Sequence, residues 1–308
     1  MRFRDWVVLV ALGLIWGTSY LFIKIAVREF APATLVALRL GLAAVVLLPV
    51  VYLRGGRLPS DPHTWGRLVL LGTINAAVPI TLISWAELHI TSAAASILNA
   101  TTPLWSVILT QLVGEEPLTW PRVIGVTLGF VGVVVLLGGD LGAVARADLV
   151  GSLAVVIASG LYAAGILYAR RKLRHLDVAV LAVGSLVGAT VFLIPFAVAS
   201  GLPARVSPAP LASLLALSLG GTAIAYLLYF HLVKNVGVTQ VTLVTYINPA
   251  TAVLWGWLVL AEPVTGQVAG GLGLILLGIA IVNSVHERLR MGHRKPPDMR
   301  TYDRVKSS

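Results

Sequence analysis

Long, nearly unbroken apolar runs dominate the chain, separated by short polar segments. A helix needs about 20 mostly apolar residues to cross a bilayer. Ten stretches meet that requirement: Trp6–Val27, Pro32–Leu53, Thr64–Leu88, Ser92–Val113, Trp120–Gly138, Val150–Arg171, Val178–Ser200, Ala209–Lys234, Thr239–Leu260 and Thr265–Val285. Backbone groups in hydrocarbon must be satisfied within one segment or in a closed barrel. Barrel strands alternate apolar and polar residues in units of about ten, and these runs do not alternate. The pattern therefore predicts an all-α membrane protein of ten transmembrane helices. Turn residues fill the short connections, as in Arg54-Gly55-Gly56, Gly114-Glu115-Glu116-Pro117, Gly201-Leu202-Pro203 and Glu262-Pro263. The first run follows Arg2 and Arg4, is too long for a signal-peptide core and shows no clear cleavage site, so it is expected to be retained.

Sliding the chain against itself by 146 residues aligns Pro49 with Pro195, Pro62 with Pro208, and Pro103 with Pro249. The same shift pairs Glu116-Pro117 with Glu262-Pro263, Thr119 with Thr265, Gly125 with Gly271, and Gly132 with Gly278. Two five-helix units follow, over residues 1–141 and 147–286, with a basic tail at 287–308 expected to be disordered. An odd number of spans per unit inverts the second unit against the first. The turn at Glu116 is then expected at the cytoplasmic face and the turn at Glu262 outside. Inverted repeats recur in secondary transporters, with the substrate site between the halves near the midplane.

Composition supports the bilayer as solvent. Hydrophobic residues make up 57% of the chain and charged residues 12%, against about 25% charged in soluble domains. The net charge of +10 does not point to nucleic acid, because no basic stripe with interleaved aromatics exists. It reports topology instead. With the N-terminus inside, the cytoplasmic segments hold 18 Lys and Arg residues and the external loops hold 3, namely Arg28, Arg146 and Arg205. This asymmetry places both termini in the cytoplasm of a multi-pass protein of the cell membrane. There is no cysteine, which excludes disulfides and thiolate metal sites.

Several motifs fall in order along these helices. They are Trp16-Gly-Thr-Ser with Lys24 eight residues on, Ala37-Leu-Arg39, and Pro103 and Pro249, each followed about thirteen residues later by Glu-Pro-x-Thr. Taken together over nearly the whole chain, the set resembles the EamA-type transporters of the drug/metabolite transporter superfamily. The resemblance implies a ten-helix inverted repeat. It implies a central cavity lined mainly by helices 1–4 and 6–9, with helices 5 and 10 toward the edge. It also implies export or exchange of small metabolites, often amino acids or related compounds. One departure is visible: Ser159-Gly160-Leu161-Tyr162 stands where a Trp-containing match to Trp16 is expected.

Polar residues inside a membrane are costly and are functional candidates by default. Arg39 and Lys24 lie toward the external ends of helices 2 and 1, and Glu87 toward that of helix 3. They form a candidate external gate, against the simpler reading of snorkelling to the headgroups. Asn75 sits within helix 3. Asn99 and Thr102 precede Pro103, and Tyr246 and Asn248 precede Pro249. A proline frees a backbone carbonyl, and such breaks in membranes line cavities or face protein. Trp16, Trp105, Tyr162 and Tyr226 add an aromatic wall suited to apolar, aromatic or cationic solutes. The expected substrate site is thus Trp16, Arg39, Asn75, Asn99, Thr102, Trp105, Tyr162, Tyr226, Tyr246 and Asn248, with Lys24, Glu87, Pro103 and Pro249 as gating elements. His231 reads as a structural interface histidine, and no carboxylate lies at a helix centre to carry protons. Glycines in helices 5 and 10, including Gly125, Gly132, Gly271 and Gly278, suit close helix packing or a dimer face.

An enzyme would need a nucleophile with its base, or grouped metal ligands, and the six histidines are isolated. No phosphate-binding Gly-x-x-x-x-Gly-Lys loop is present for ATP. The reading is a secondary transporter by alternating access, with a passive channel or facilitator as the alternative. No cofactor is expected. The partners are a small-molecule substrate and the lipid bilayer, in a monomer or a homodimer.

Overall fold

The computed structural model describes residues 2–115, 119–137, 146–236, 241 and 243–292, with side chains described except at 146–147 and 283–292. All regular structure among these residues is helical. Seven helices are long and apolar enough to cross a membrane: α1 Phe3–Ala26, α2 Pro32–Leu53, α3 Pro62–Ala86, α4 Ser92–Leu112, α6 within Arg146–Lys172, α7 Val178–Ser200 and α8 Pro208–Val236. Three further apolar stretches are shorter: α5 Trp120–Leu136, α9 Val244–Leu260 and the Gly266–Val282 part of α10. Large side chains such as Val45, Val131, Val191 and Leu277 remain exposed around the bundle. Water would not tolerate so broad an apolar surface, whereas lipid does. The chain is a multi-pass membrane protein.

Three helices depart from the continuous α-helices that the pattern predicts. In α3 the segment Thr73–Ala77 is π-helical, and in α8 so is Ala216–Ile224. A shift of 146 residues carries the first into the second. Helix α4 breaks at Ala100–Thr101, just before Pro103, into Ser92–Asn99 and Thr102–Leu112. Pro103 lacks the N–H that would reach the Asn99 carbonyl four residues back. Hydroxyls replace it: Thr102 Oγ1 donates to that carbonyl at 2.8 Å, and Thr101 Oγ1 to Leu98 O at 2.7 Å. Pro249, by contrast, lies within the continuous helix α9. At the chain's end, α10 extends to Gly292, so the disordered tail does not begin at Glu287 as expected. Residues 293–308 lie outside the described residues, as do Glu116 and Pro117.

The principal packing pairs are α1–α9, α4–α6, α2–α7, α3–α7, α2–α8, α3–α6, α1–α8, α4–α9 and α5–α10. Exchanging each helix with the one five places on maps this set onto itself. Helices α5 and α10 meet through glycines, where Gly125 opposes Gly278 and Gly132 opposes Gly271. A methyl group on Gly125 would lie 2.8 Å from the Gly278 carbonyl, and one on Gly132 2.9 Å from that of Gly271. Numbers rise along one helix as they fall along the other, so the two run antiparallel. The α2–α7 pair also runs antiparallel, since Thr34 bonds the Ala197 and Gly201 carbonyls while Gly41 meets Thr190.

Candidate functional site

Arg39 is a buried cation within the bundle, 7% exposed. Its helix, α2, packs on the π-helical segment of α8. Widening of that turn brings Thr222 and Gly221 against the guanidinium. Arg39 Nε donates to Thr222 Oγ1 at 2.9 Å, and a methyl group on Gly221 would lie 3.6 Å from Nη2. Thr222 Oγ1 in turn donates to Leu217 O at 2.9 Å, five residues back along the π-helical segment. Among the described residues no carboxylate forms a salt bridge with Arg39. The hydroxyls of Tyr162, Tyr226 and Tyr20, and the Glu87 carboxylate, lie within its electrostatic reach. A buried guanidinium is stable only where donors find acceptors or a counter-charge, and here Nε finds the Thr222 hydroxyl.

Asn99 joins three helices beside this centre. Its Nδ2 donates to Tyr20 Oη at 2.8 Å, and its Oδ1 accepts from Ser159 Oγ at 3.3 Å. The α4 break exposes this amide to α1 and α6. Asn75, on the π-helical segment of α3, packs against Gly165 of α6. The pseudo-equivalent contact is Gly221 of α8 against Ser19 of α1, where a methyl on Gly221 would lie 2.8 Å from Ser19 Oγ. Both wide turns thus press on the neighbouring half, one with a polar amide and one with a glycine.

Trp105 packs over Gly160 and meets Phe130 edge-on at 5.5 Å and 86°. Its Nε1 is buried without a partner. Tyr162 and Tyr246 pack against the buried cluster that contains Tyr20 and Leu98. Tyr226, Tyr229 and Phe230 form an aromatic cluster on α8, joined by Trp16 of α1, whose ring lies 6.1 Å from that of Tyr229. Other residues are placed in helix contacts. Asn248 turns its amide so that the nitrogen donates to Val244 O at 3.2 Å and Gly13 O at 3.1 Å, locking α9 to α1. Thr102 uses its hydroxyl on the α4 break. The structure therefore brings Arg39, Asn75, Asn99, Trp105, Tyr162 and Tyr226 onto helices that converge in the bundle, and sets Asn248 in the α1–α9 seam.

Charged side chains make a cluster of contacts at one end of the bundle. Lys24 Nζ donates to the carbonyls of Glu87 and, at 2.8 Å, Ile90, capping the C-terminus of α3. Glu262, on the α9–α10 turn, binds the first turn of α4 at Ser92 and Ala93. At the other end Glu115 binds Arg170 and Arg171 of α6, the latter at 2.6 Å. Glu262 meets α4 at its first residue and Glu115 follows its last turn. A helix of that length, 21 residues, separates them by on the order of 30 Å. His231 approaches Asp5 at 3.9 Å and accepts from or donates to Asn235, on α1 and α8 near that second end.

Tyr20, Ser159 and Thr222 are site residues that sequence reasoning did not select. The available signals were a tyrosine one turn beyond Trp16 and a hydroxyl beside the Gly220-Gly221 pair in an apolar helix.

Comparison with known proteins now bears on this geometry. Residues 5–138 and 149–284 each match the EamA-like transporter family. The chain is 29% identical over 291 residues to the "Uncharacterized inner membrane transporter YedA" of Escherichia coli (strain K12), covering 92% of each chain. It is 28% identical over 290 residues to the "Probable terminal-alkyne amino-acid exporter" of Streptantibioticus cattleyicolor, covering 91% of this chain and 92% of that one. A solved crystal structure superposes with a TM-score of 0.65 at 20% identity, over 94% of this chain and 99% of the other. That last likeness concerns the fold alone.

Proposed function

The chain belongs to the EamA-like transporter family, and from that premise we propose that it is a secondary transporter exporting or exchanging small metabolites such as amino acids or related amines. The carrying observation is Arg39, a buried guanidinium bonded to a hydroxyl, with the hydroxyls of Tyr162, Tyr226 and Tyr20 within its electrostatic reach. An arginine fork suits a carboxylate, and aromatic rings beside it suit an amino acid's apolar or cationic part. The amino-acid exporter among the relatives supports the same class.

The proposed mechanism is alternating access between two inverted five-helix units, 1–141 and 147–286. The antiparallel α5–α10 and α2–α7 pairs support inversion. So do Glu115 and Glu262 at opposite ends of α4. Substrate is held near Arg39 and Asn99. Contacts at Lys24 and Glu262 seal one face, and those at Glu115 seal the other. Rocking one unit against the other breaks one set while the second holds. The distribution of Lys and Arg supports placing both termini in the cytoplasm, in the cell membrane. Gly125, Gly132, Gly271 and Gly278 are used within one chain rather than at a dimer face, which supports a monomer.

The test is reconstitution in liposomes with a panel of labelled amino acids and amines, under imposed pH or sodium gradients and without them. Saturable flux of a carboxylate-bearing solute is the expected result. Absence of any flux from folded protein would sink the proposal.

A further inference from the structure

Glu87 follows α3 at the end that also holds Lys24 and Glu262, and among the described residues its carboxylate has no hydrogen-bond partner. The residue is 0% exposed. Neither Oε1 nor Oε2 accepts a hydrogen bond among the described residues. The nearby cations are engaged elsewhere: Lys24 donates to the backbone carbonyls of Glu87 and Ile90, and Arg39 to Thr222. Three charged groups lie within electrostatic reach, namely Lys24 from α1, Glu262 from the α9–α10 turn and Arg39 from α2, and the titratable hydroxyl of Tyr20 on α1 faces it as well. Glu262 is itself saturated by Ser92 N, Ser92 Oγ and Ala93 N. From α4 the facing groups are neutral: Ser92 is bonded to Glu262, and Thr91 Oγ1 accepts from Ala94 N. Helix α6 packs against the same turn at Gly151, one turn after Asp148. His89, two residues on, is exposed and meets the Trp85 ring at 4.7 Å with the two planes tilted by 60°.

An ionised carboxylate sealed from water without a donor is strongly unfavourable. The protonated acid is the form that this closed end accommodates. Separation of Lys24 from α3 and of Glu262 from α4 would admit water to Glu87. There the carboxyl gives its proton to water, and the carboxylate recovers one from water before the end seals again.

We propose that Glu87 is a proton-binding site in the gate formed by Lys24, the end of α3 and Glu262, so that closure of this face takes up one proton. From the transporter reading it borrows only that the face opens and closes. It gives the protein a route to proton-linked transport that its sequence did not suggest, because Glu87 lies at a helix end rather than a helix centre.

The chain has no cysteine, so Leu88→Cys and Val264→Cys, both exposed, can be spin-labelled on the full chain in lipid nanodiscs. Pulsed electron spin resonance then reads the distance across the gate from mildly acidic to mildly alkaline solution. In otherwise native protein the short-distance population should grow as pH falls. The closed-to-open ratio should change by up to about tenfold per pH unit, the limit for one linked proton. Glu87→Gln should hold the short distance at every pH. Glu87→Asp should keep the response with a shifted midpoint. A distance insensitive to pH in otherwise native protein overturns the proposal, as does a response that survives Glu87→Gln. Should the Gln variant not fold, an unshifted midpoint in Glu87→Asp overturns it equally. A pH-sensitive gate without solute flux would sink the transporter reading alone, and flux through a pH-insensitive gate would sink this one alone.

Discussion

Glu262 caps α4 at Ser92 across 170 residues of sequence. Its Oε1 accepts from Ser92 N at 2.8 Å, while Oε2 accepts from Ser92 Oγ at 3.0 Å and Ala93 N at 3.2 Å. These amides are the unpaired donors of the first helical turn, and the positive end of the helix dipole favours the carboxylate. Two local features deliver it. Ala261 takes a left-handed conformation at φ 55°, which reverses the chain after α9. Gly256 leaves the space that the carboxylate occupies. The pairing ties the second unit to the first at the closed end.

Glu262→Ala should therefore destabilise the protein by about 1–3 kcal/mol, the cost of leaving buried donors unmade. Glu262→Gln keeps an acceptor oxygen and should lose less. Thermal unfolding in one detergent, compared across the native chain and both variants, checks the order. Equal stability of all three would remove the cap from the account.

The α5–α10 seam makes a sharper contrast. A methyl group on Gly278 would lie 2.5 Å from the Gly125 carbonyl, against backbone that cannot move aside. Gly278→Ala should cost about 1–3 kcal/mol. Gly266, on the same helix, has nothing within 4 Å of that position. Gly266→Ala should be neutral or stabilising by up to about 1 kcal/mol. The same unfolding assay reads both, and equal effects would mean that the seam is not packed as described.

How much of this was legible beforehand differs by level. Hydrophobic run length gave the helices, because a bilayer imposes one length and forbids unsatisfied backbone. The glycines of helices 5 and 10 read as close packing or a dimer face, since close packing leaves a mark in residue size, but only the structure pairs Gly125 with Gly278 and Gly132 with Gly271. The π-helical segments left no such mark. Thr73–Ala77 and Ala216–Ile224 read as ordinary apolar helix, and only the packing of Asn75 on Gly165 and of Arg39 on Thr222 reveals the wider turn. The α4 break was legible at Pro103, yet Pro249 left α9 unbroken, so proline alone does not decide. Lys24 and Glu87 were paired by charge. The structure joins them through a backbone carbonyl, a contact that no charge pattern reports.

Inverted insertion makes a prediction about sidedness. Single cysteines can be placed in a chain that has none. Arg57→Cys and Arg174→Cys, in the α2–α3 and α6–α7 connections, should react with a membrane-impermeant maleimide only from the cytoplasmic side. Arg28→Cys and Arg205→Cys, in the α1–α2 and α7–α8 connections, should react from outside. Measured on intact cells and on inside-out vesicles, labelling of Arg57→Cys and Arg205→Cys from one side would refute the inversion.

The proposed function rests most heavily on Arg39, and its substitution separates binding from folding. In Arg39→Ala the Thr222 hydroxyl still donates to Leu217 O, so the π-helical segment keeps that bond. Removing a buried charge that no carboxylate among the described residues pairs with leaves no orphaned counter-ion behind there. Stability should change little. The substrate, however, would lose charge-assisted bonds worth about 1.5–3 kcal/mol, so flux of a carboxylate-bearing solute at limiting concentration should fall roughly 10- to 100-fold. Arg39→Lys should not restore it, because a point ammonium lacks the planar fork. Thr222→Val, which removes the acceptor that orients Nε, should lower flux by less than Arg39→Ala does. Initial uptake rates in liposomes, set beside the thermal midpoint of each variant, decide the matter. Unchanged flux in Arg39→Ala would make the guanidinium a helix-packing group, and the carboxylate assignment would fall with it.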